Sequence, residues 1–419
     1  MQWRNTFAVI LVGLAQLLPA QNQVDTSALV VRDLPEVEVV DSRETTVHKI
    51  IKPEESITAT LKDLSGVQLL SRGNTGQEAI FRGQDPKRMQ VQIDGMRLFG
   101  AGPARMDPAL SYFDRNSIQS AQIYSGTQAS DNFNGLSGNL KLTLKKPSFK
   151  PQSTWQASAD ALFHSNTSGI ENRASVSYGS QKWAFTASGS WQKHQNYSDG
   201  NGETIGLSQY EKRNFALAAA TRLQEKEVLR VNIIVDQLVF AGFPAVPMDA
   251  TNSNGLITKV TYQNFKPLAG FKNFSLSAYY NRLFHHMDDA RRSDVFMHMD
   301  MPSWSETMGI NFRAQKWQKG RHQLDLSLEA YTNSRRAEML MFSPNDTEPN
   351  MFMLPWPDSR LLATGIGLSH HWRLDKWLWN STLRADWNAS KVTSERGIKT
   401  WGGIWARCRK HQNLYYPPN

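Results

Sequence analysis

The chain has 419 residues, a formal net charge of +9 and one cysteine, Cys408. A single cysteine excludes a disulfide framework within the chain, and dispersed basic residues without a binding motif exclude a nucleic-acid partner. The positive charge is expected either in solvated loops or against anionic lipid headgroups. Hydrophobic residues make up 40%, which suits a soluble protein but also a membrane β-barrel, where only every second strand residue faces lipid.

The N-terminus predicts an export signal over residues 1–20. Arg4 supplies a positive charge, Thr6–Leu18 is an apolar run interrupted only by Gln16, and Ala20 ends a cleavage site. A membrane anchor at the start of the chain is the alternative. No later segment is apolar enough to span a membrane as a helix, so any membrane crossing is expected to be made by strands.

Residues 50–147 are predicted to form a compact α/β domain, preceded by a flexible N-terminus over 21–49. Pro53 opens a short helix and Gly66 closes it, since proline suits a first helical turn and glycine suits the left-handed cap. Short strands are expected around Val67–Leu70, Glu78–Arg82, Met89–Ile93 and Ser120–Tyr124.

From residue 151 onward, apolar and polar residues alternate, and about eleven strands are predicted up to residue 390. In one strand the apolar positions are Trp183, Phe185, Ala187, Gly189 and Trp191. Aromatic residues at strand ends with small residues between them are typical of a lipid-facing stripe. Tight turns such as Ser180–Lys182 are predicted to alternate with long loops, which are expected over 196–208, 242–254, 288–302 and 339–359.

Four segments carry motifs that occur in a fixed order. They are Leu61–Val67 (LKDLSGV), Ala79–Gly83 (AIFRG), Val91–Arg97 (VQIDGMR) and Ser117–Gly126 (SIQSAQIYSG). In this order and spacing they resemble the plug domain of TonB-dependent outer-membrane receptors. An unrelated α/β domain is the alternative.

Within these motifs, Arg82 and Asp94 are charges on otherwise apolar strands. If a plug fills a polar barrel lumen, such charges are expected to pair with the barrel wall. Gly83 and Gly95 follow them and allow tight turns.

The resemblance implies a small α/β plug domain followed by an antiparallel transmembrane β-barrel over 151–405. The family's barrel has about 22 strands, so about half of it is expected here. Residues 406–419 lose the alternation, which suggests a frameshift or an early stop. Because an open half-barrel leaves an unpaired edge in lipid, the chain is expected to need another chain before it can work as an importer.

The resemblance also implies partners and a location. Glu36, Val37, Glu38, Val39 and Val40 resemble a TonB box, which would add a strand to the TonB energy-coupling complex. A plain linker is the alternative. Outer-membrane lipid and the barrel assembly machinery are further expected partners, and the expected location is the outer membrane of a Gram-negative bacterium.

The substrate is expected to be a metal ion or a metal chelate, with copper the most specific candidate. The segment around Met106 resembles the apical loop of copper-type receptors, with Gly102 where those receptors have a cysteine. His298 and Met299 are the expected barrel ligands, since thioethers favour Cu(I) and imidazole binds either copper state. Nine of the fourteen methionines lie between 287 and 353, mostly in predicted loops. Adaptable apolar packing is the alternative explanation of these methionines, and chelated iron is the alternative cargo.

Other classes of function have less support. A passive porin would lack the plug motifs, and no nucleophile elbow, phosphate loop or acid pair indicates an enzyme or a bound cofactor. A signal-transducing receptor would need a further N-terminal domain, which the short segment between Ala20 and the TonB-box-like residues does not provide. A soluble β-rich binding protein remains the structural alternative.

Overall fold

The computed structural model describes most of the chain between residues 46 and 392. The described residues are 46–50 (backbone only), 57–125, 132, 135, 137–267, 270–293, 295–319, 321–343, 349–374 and 376–392. All of them belong to a compact unit that spans Glu44–Asn419. The predicted export signal, the TonB-box-like segment, Pro53 and the tail over 406–419 lie outside the described residues. Among the described residues, no helix is long and apolar enough to cross a membrane.

The N-terminal part of this unit, the plug, combines one helix with seven strands. Their bounds are β1 (Thr46–Ile50), α1 (Ile57–Lys62), β2 (Val67–Arg72), β3 (Gly76–Phe81), β4 (Met89–Ile93), β5 (Met96–Arg97), β6 (Ile118–Tyr124) and β7 (Gly138–Leu144). Five strands form a sheet in the order β1-β6-β7-β4-β5, and β2 and β3 form a separate hairpin. The strands that the motifs predicted are present, and the sheet begins earlier than residue 50 because β1 pairs with β6.

Strand β7 buries one of its faces although its sequence contains several polar residues. The segment over 133–143 looks polar for a plug strand, yet Leu140, Leu142 and Leu144 are at most 3% exposed. They alternate with polar residues, so one face of β7 enters the plug core while its backbone pairs in parallel with β4. The period-two pattern therefore outweighs the mean polarity of the segment.

The C-terminal part is one antiparallel sheet of eleven strands, which confirms the predicted number. Their bounds are β8 (Thr154–His164), β9 (Gly169–Gly179), β10 (Trp183–His194), β11 (Tyr210–Gln224), β12 (Glu227–Ala241), β13 (Asp249–Asn264), β14 (Asn273–Asp288), β15 (His298–Lys319), β16 (His322–Phe342), β17 (Met351–Leu374) and β18 (Trp377–Val392). Each strand pairs with its neighbours in sequence, and β8 and β18 are the two edges.

The two faces of this sheet differ in chemistry. In β13, Leu256 and Val260 are exposed on the outer face, whereas Ile257 and Lys259 are buried on the inner face against the plug. Aromatic side chains contact one another near both ends of the strands of this sheet. Ring centroids are 4.8 Å apart for Trp155 and Tyr178, 6.0 Å for Phe274 and Phe312, and 5.5 Å for Phe284 and Trp304. This is the pattern of a sheet that presents apolar side chains outward.

The predicted loop over 196–208 is confirmed, whereas the loops predicted over 242–254, 288–302 and 339–359 are shorter because β13, β15, β16 and β17 extend into them. Strands β15, β16 and β17 contain 22, 21 and 24 residues. The end of the sheet at which β10 leads to β11, β12 to β13, β14 to β15 and β16 to β17 is here called the loop rim. Most methionines between 287 and 353 therefore lie on strands near the loop rim, and not in loops.

Candidate functional site

Ion pairs connect the plug to the inner face of the large sheet, which is here called the wall. The Asp94 carboxylate accepts a hydrogen bond of 2.7 Å from Lys259 Nζ. Arg97 donates to both oxygens of the Glu329 carboxylate, at 2.6 and 3.2 Å, and Arg384 donates to the same carboxylate at 2.6 Å. Two carboxylates, one from each side, thus fix the position of the plug against the wall.

The four plug-motif residues play different local roles. Arg82 lies over the ring of its neighbour Phe81, 4.8 Å from the centroid, and within the described residues it forms no ion pair with the sheet. Arg82, Gly83, Asp94 and Gly95 all have positive φ, between 49° and 87°. The motif therefore builds two tight turns, and of its two charged residues only Asp94 pairs with the wall.

A buried carboxylate shapes the apical loop of the plug. Asp107 is 4% exposed and accepts hydrogen bonds from the backbone N–H of Ala101 at 2.5 Å and of Gly102 at 2.8 Å. It also accepts one from the Tyr112 hydroxyl at 2.6 Å. Burial raises the pKa of the Tyr112 phenol well above its usual value, and the neighbouring Asp107 carboxylate adds to the rise.

This loop places Gly102 directly against a buried imidazole. A Cβ atom added at Gly102 would lie 2.9 Å from His285 Cδ2 and 3.4 Å from His285 Nε2. The His285 ring is fully buried, and its Nδ1 is within hydrogen-bond distance of the Ser253 hydroxyl. Its Nε2 is buried and has no hydrogen-bond partner among the described residues. A buried ring nitrogen without a hydrogen-bond partner destabilises the folded state unless a ligand or an ion binds it.

Six methionines from the plug and the wall belong to one apolar cluster, and they are here called the methionine cluster. One of them, Met287, lies two residues after His285 on the same face of β14. Met106, Met248, Met287 and Met301 are buried in it, and Met299 and Met339 pack against it. Met106 comes from the apical loop of the plug, and the other five come from the wall at the loop rim. The cluster therefore joins the two parts of the molecule through soft sulfur atoms.

Strand register extends the cluster across the sheet. Met287 lies opposite Met301, Met299 opposite Met341, Met341 opposite Met351, and Met339 opposite Met353. Residues directly opposite in neighbouring strands have side chains on the same face, with Cβ atoms about 5 Å apart. These methionines thus form two rows on the inner face. Exposure rises along one row from 2% at Met287 to 42% at Met353.

The two predicted barrel ligands, His298 and Met299, have different surroundings in the structure. Met299 packs against the methionine cluster. His298, its neighbour in β15, instead approaches Asp289, with 3.2 Å between Nδ1 and Oδ1, and its ring contacts Phe342. Consecutive strand residues point to opposite faces, so His298 and Met299 are not expected to share an ion. The histidine beside the cluster is His285.

A strand periodicity in the sequence could have pointed to His285. In His285-His286-Met287, period two places His285 and Met287 on one face of a strand. His298 is followed directly by Met299, so those two residues lie on opposite faces.

The family model of the TonB-dependent Receptor Plug Domain matches residues 31–138. The match covers 108 of the 419 residues, and it identifies a plug domain of the kind found in TonB-dependent receptors of the Gram-negative outer membrane. A comparison with curated proteins gives no match.

Several solved structures share the fold of this chain. It is similar to the copper transporter OprC, with 19% identity, a TM-score of 0.73, and coverage of 83% of this chain and 55% of that chain. It is similar to the unliganded ferric citrate transporter FecA, with 12% identity and a TM-score of 0.64. That similarity covers 82% of this chain and 56% of FecA. It is also similar to the FrpB iron transporter from Neisseria meningitidis, with 15% identity and a TM-score of 0.58. That similarity covers 80% of this chain and 57% of the transporter. The chain therefore spans little more than half the length of these transporters.

Proposed function

We propose that this receptor takes part in the import of copper or another soft metal ion. In this proposal His285, Met106 and Met287 form the capture site at the loop rim, with Met299 and Met301 beside it. The observation that carries the proposal is the buried His285 ring, whose unpartnered Nε2 lies beside Gly102 and near the methionine cluster.

The chemistry of this set fits a soft cation. Thioether sulfur favours Cu(I), and a neutral imidazole nitrogen binds either copper state. A cluster that served only apolar packing would gain nothing from a buried imidazole with an unpaired nitrogen. The similarity to a copper transporter supports the same choice of cargo. Gly102 occupies the position where copper-type receptors have a cysteine, so thioether and imidazole atoms would provide the binding here.

The two rows of methionines lie at the loop rim, on the inner face of β14 to β17. Soft ligands in these rows would bring a soft ion to Met287, which is 2% exposed.

Transport itself is proposed for the assembled receptor, because this chain spans about half the length of its structural relatives. The TonB energy-coupling complex would engage the segment Glu36–Val40 and displace the plug. The barrel assembly machinery would insert the sheet, and outer-membrane lipid would cover its apolar outer face. A non-transporting fragment is the alternative for the chain on its own.

The test is silver binding, with Ag⁺ as a redox-inert substitute for Cu(I), to the purified full-length chain in detergent. The double variant Met106→Ala with His285→Ala is expected to weaken binding at least about tenfold, since two ligands are lost. His298→Ala is the matched histidine control, and Met308→Ala, on the exposed face, is the matched methionine control. Both controls should bind like the wild type.

Each other result has a defined meaning. Wild-type affinity in the double variant would refute the proposed site and favour the apolar-packing explanation of the cluster. A large loss in His298→Ala, without a loss in His285→Ala, would move the site to His298 and Met299.

A further inference from the structure

A second group of possible metal ligands lies on the first three strands of the large sheet, away from the methionine cluster. It consists of His164 at the end of β8, Glu171 in β9 and His194 at the end of β10, here called the rim triad. One ligand atom of each residue lies within 4.8 Å of the other two. All three residues are near the loop rim, where ions from outside would arrive.

The local sequence builds this group through one glycine. His164 lies opposite Gly169 in the β8–β9 pairing, and Lys193, the residue before His194, lies opposite Ile170 in the β9–β10 pairing. A Cβ atom added at Gly169 would lie 2.2 Å from His194 Nδ1. Only glycine therefore leaves room for the His194 ring at this position. Glu171, two residues further along β9, lies on the same face.

The distances within the rim triad match those between ligands of one ion. Glu171 Oε1 lies 3.1 Å from His164 Nε2 and 3.3 Å from His194 Nε2. Ligand atoms bound about 2.0–2.1 Å from a tetrahedral Zn²⁺ ion are about 3.3 Å apart. An ion could thus bind both imidazoles and the carboxylate with small movements of the side chains.

Neighbouring residues orient two of the three ligands. His194 Nδ1 lies 2.8 Å from the Thr167 hydroxyl, which leaves Nε2 directed toward Glu171. The second oxygen of Glu171 accepts a hydrogen bond from the Arg173 guanidinium. Metal-binding histidines and carboxylates usually have such outer partners, which fix the ring or the carboxylate in its binding orientation.

The surrounding charge does not oppose a cation. Arg173 also pairs with Asp114, at 3.2 Å, and approaches Asp160, which pairs with Arg115. The positive charge of each arginine is thus offset by a carboxylate other than Glu171.

The rim triad combines two buried ligands with one solvent-exposed ligand. The side chains of His194 and Glu171 are 5% and 12% exposed, whereas that of His164 is 46% exposed. Two ligands are therefore held in place by packing, and the third can admit an ion from solvent.

We propose that the rim triad is a second metal site, which binds a divalent ion of the Zn²⁺ type through His164 Nε2, Glu171 Oε1 and His194 Nε2. Water completes the coordination. Two imidazoles and a carboxylate suit Zn²⁺ or Cu²⁺ better than Cu(I), which prefers thioethers. This site goes beyond the proposed function, because it shares no ligand with the methionine cluster and serves an ion of another class.

The bound ion would tie the edge strand β8 to β9 and β10. The His194 ring also stacks on Tyr210, with centroids 4.5 Å apart, and Tyr210 packs against the methionine cluster. Occupancy of the rim triad would therefore stiffen one side of the capture site without contributing a ligand to it.

The experiment titrates Zn²⁺ into the full-length chain in detergent, after chelator treatment, in competition with a chromophoric chelator. The wild type is expected to bind one equivalent at this site. His194→Ala and Glu171→Gln should each weaken that binding at least about 100-fold, since losing a direct ligand should cost no less than the upper end of the 10- to 100-fold range for an outer partner. His370→Ala, a change in a histidine near the opposite end of the sheet, should leave binding unchanged.

Additional variants separate this site from the proposed capture site and from misfolding. Met106→Ala with His285→Ala should retain Zn²⁺ binding at the rim triad, whatever its effect on Ag⁺. His164→Ala alters an exposed side chain at a sheet edge, so it should fold like the wild type and still lose Zn²⁺ affinity. X-ray absorption at the zinc edge should report two imidazole ligands. Wild-type Zn²⁺ affinity in His164→Ala and Glu171→Gln, or no stoichiometric binding by the wild type, would overturn the proposal.

Discussion

The plug and the large sheet use the same alternating strand pattern in opposite ways. In the plug, apolar residues such as Ile93, Ile123 and Leu142 are buried in a hydrophobic core to which the sheet adds only a few residues, such as Ile257. In the sheet, the buried inner face is rich in polar residues, among them Lys259 and Glu329, while apolar residues face outward. Alternation alone therefore predicts strands but not which of their faces is buried. Apolar residues are buried where a strand packs into a hydrophobic core, and polar residues are buried where the sheet covers a polar plug surface.

The largest expected effect comes from removing a charge that joins the two parts. Glu329→Ala would leave Arg97 and Arg384 without their shared carboxylate, although their side chains are only 7% and 3% exposed. We expect the free energy of unfolding to fall by about 3–5 kcal/mol. Denaturant unfolding in detergent, followed by tryptophan fluorescence, measures it.

The outer face provides the control for this change. Glu306 is 44% exposed and pairs with Arg282 at 3.3 Å. Glu306→Ala should cost less than about 1 kcal/mol, because exposed ion pairs contribute little. Equal losses in the two variants would mean that the inner face is no more sensitive to lost charge than the outer face.

A second prediction exchanges the chemistry of the two faces within one strand. Lysine is accommodated on the inner face at Lys259, where it pairs with Asp94. On the outer face, Val260→Lys should cost about 2–4 kcal/mol in a lipid bilayer, because Val260 lies opposite the apolar residues Val231 and Ala278 and a charge there loses its hydration. Unfolding in lipid vesicles measures it. Val260→Ala keeps the position apolar and should cost clearly less; a similar loss in both variants would contradict a lipid-facing position.

A smaller effect is expected within the plug, where Tyr112→Phe removes the hydroxyl that donates to Asp107. At neutral pH the loss should be about 1.5–3 kcal/mol, the range for a hydrogen bond to a charged group. Because the pKa of Tyr112 is raised on folding, the folded state holds this proton more tightly than the unfolded state. Its contribution is therefore complete below pH 10 and falls as pH rises above that value.

The measurement is the difference in unfolding free energy between wild type and Tyr112→Phe, taken from pH 8 to pH 11. That difference should shrink above pH 10. A constant difference would show that Tyr112 titrates normally in the folded protein.

Much of this architecture could be predicted from the sequence because it depends on period-two alternation and on motifs with special backbone needs. The number of strands follows from the alternation, and the positive φ at Asp94 and Gly95 follows from the turn between β4 and β5. The lengths of β15 to β17 could not be predicted, since these strands continue past the apolar pattern into polar and methionine-rich residues.

The candidate site was only partly predictable for a related reason. Met106 could be selected from its loop motif, but the burial of His285 depends on the position of Gly102 across the plug–wall contact. The rim triad was missed altogether. Its residues lie 7 and 23 positions apart along the chain, and only the register of three strands brings them together.

The graded exposure of the methionine rows also determines their susceptibility to oxidation. Peroxide converts a thioether to a sulfoxide, which is polar and no longer a soft ligand. Met353 is 42% exposed and Met287 only 2%, so sulfoxide should form first at the outer end of the rows and last near His285. Peptide mass spectrometry after brief peroxide treatment would read this order directly. Oxidation should therefore change the exposed end of the rows before it changes Met287, a ligand of the proposed capture site.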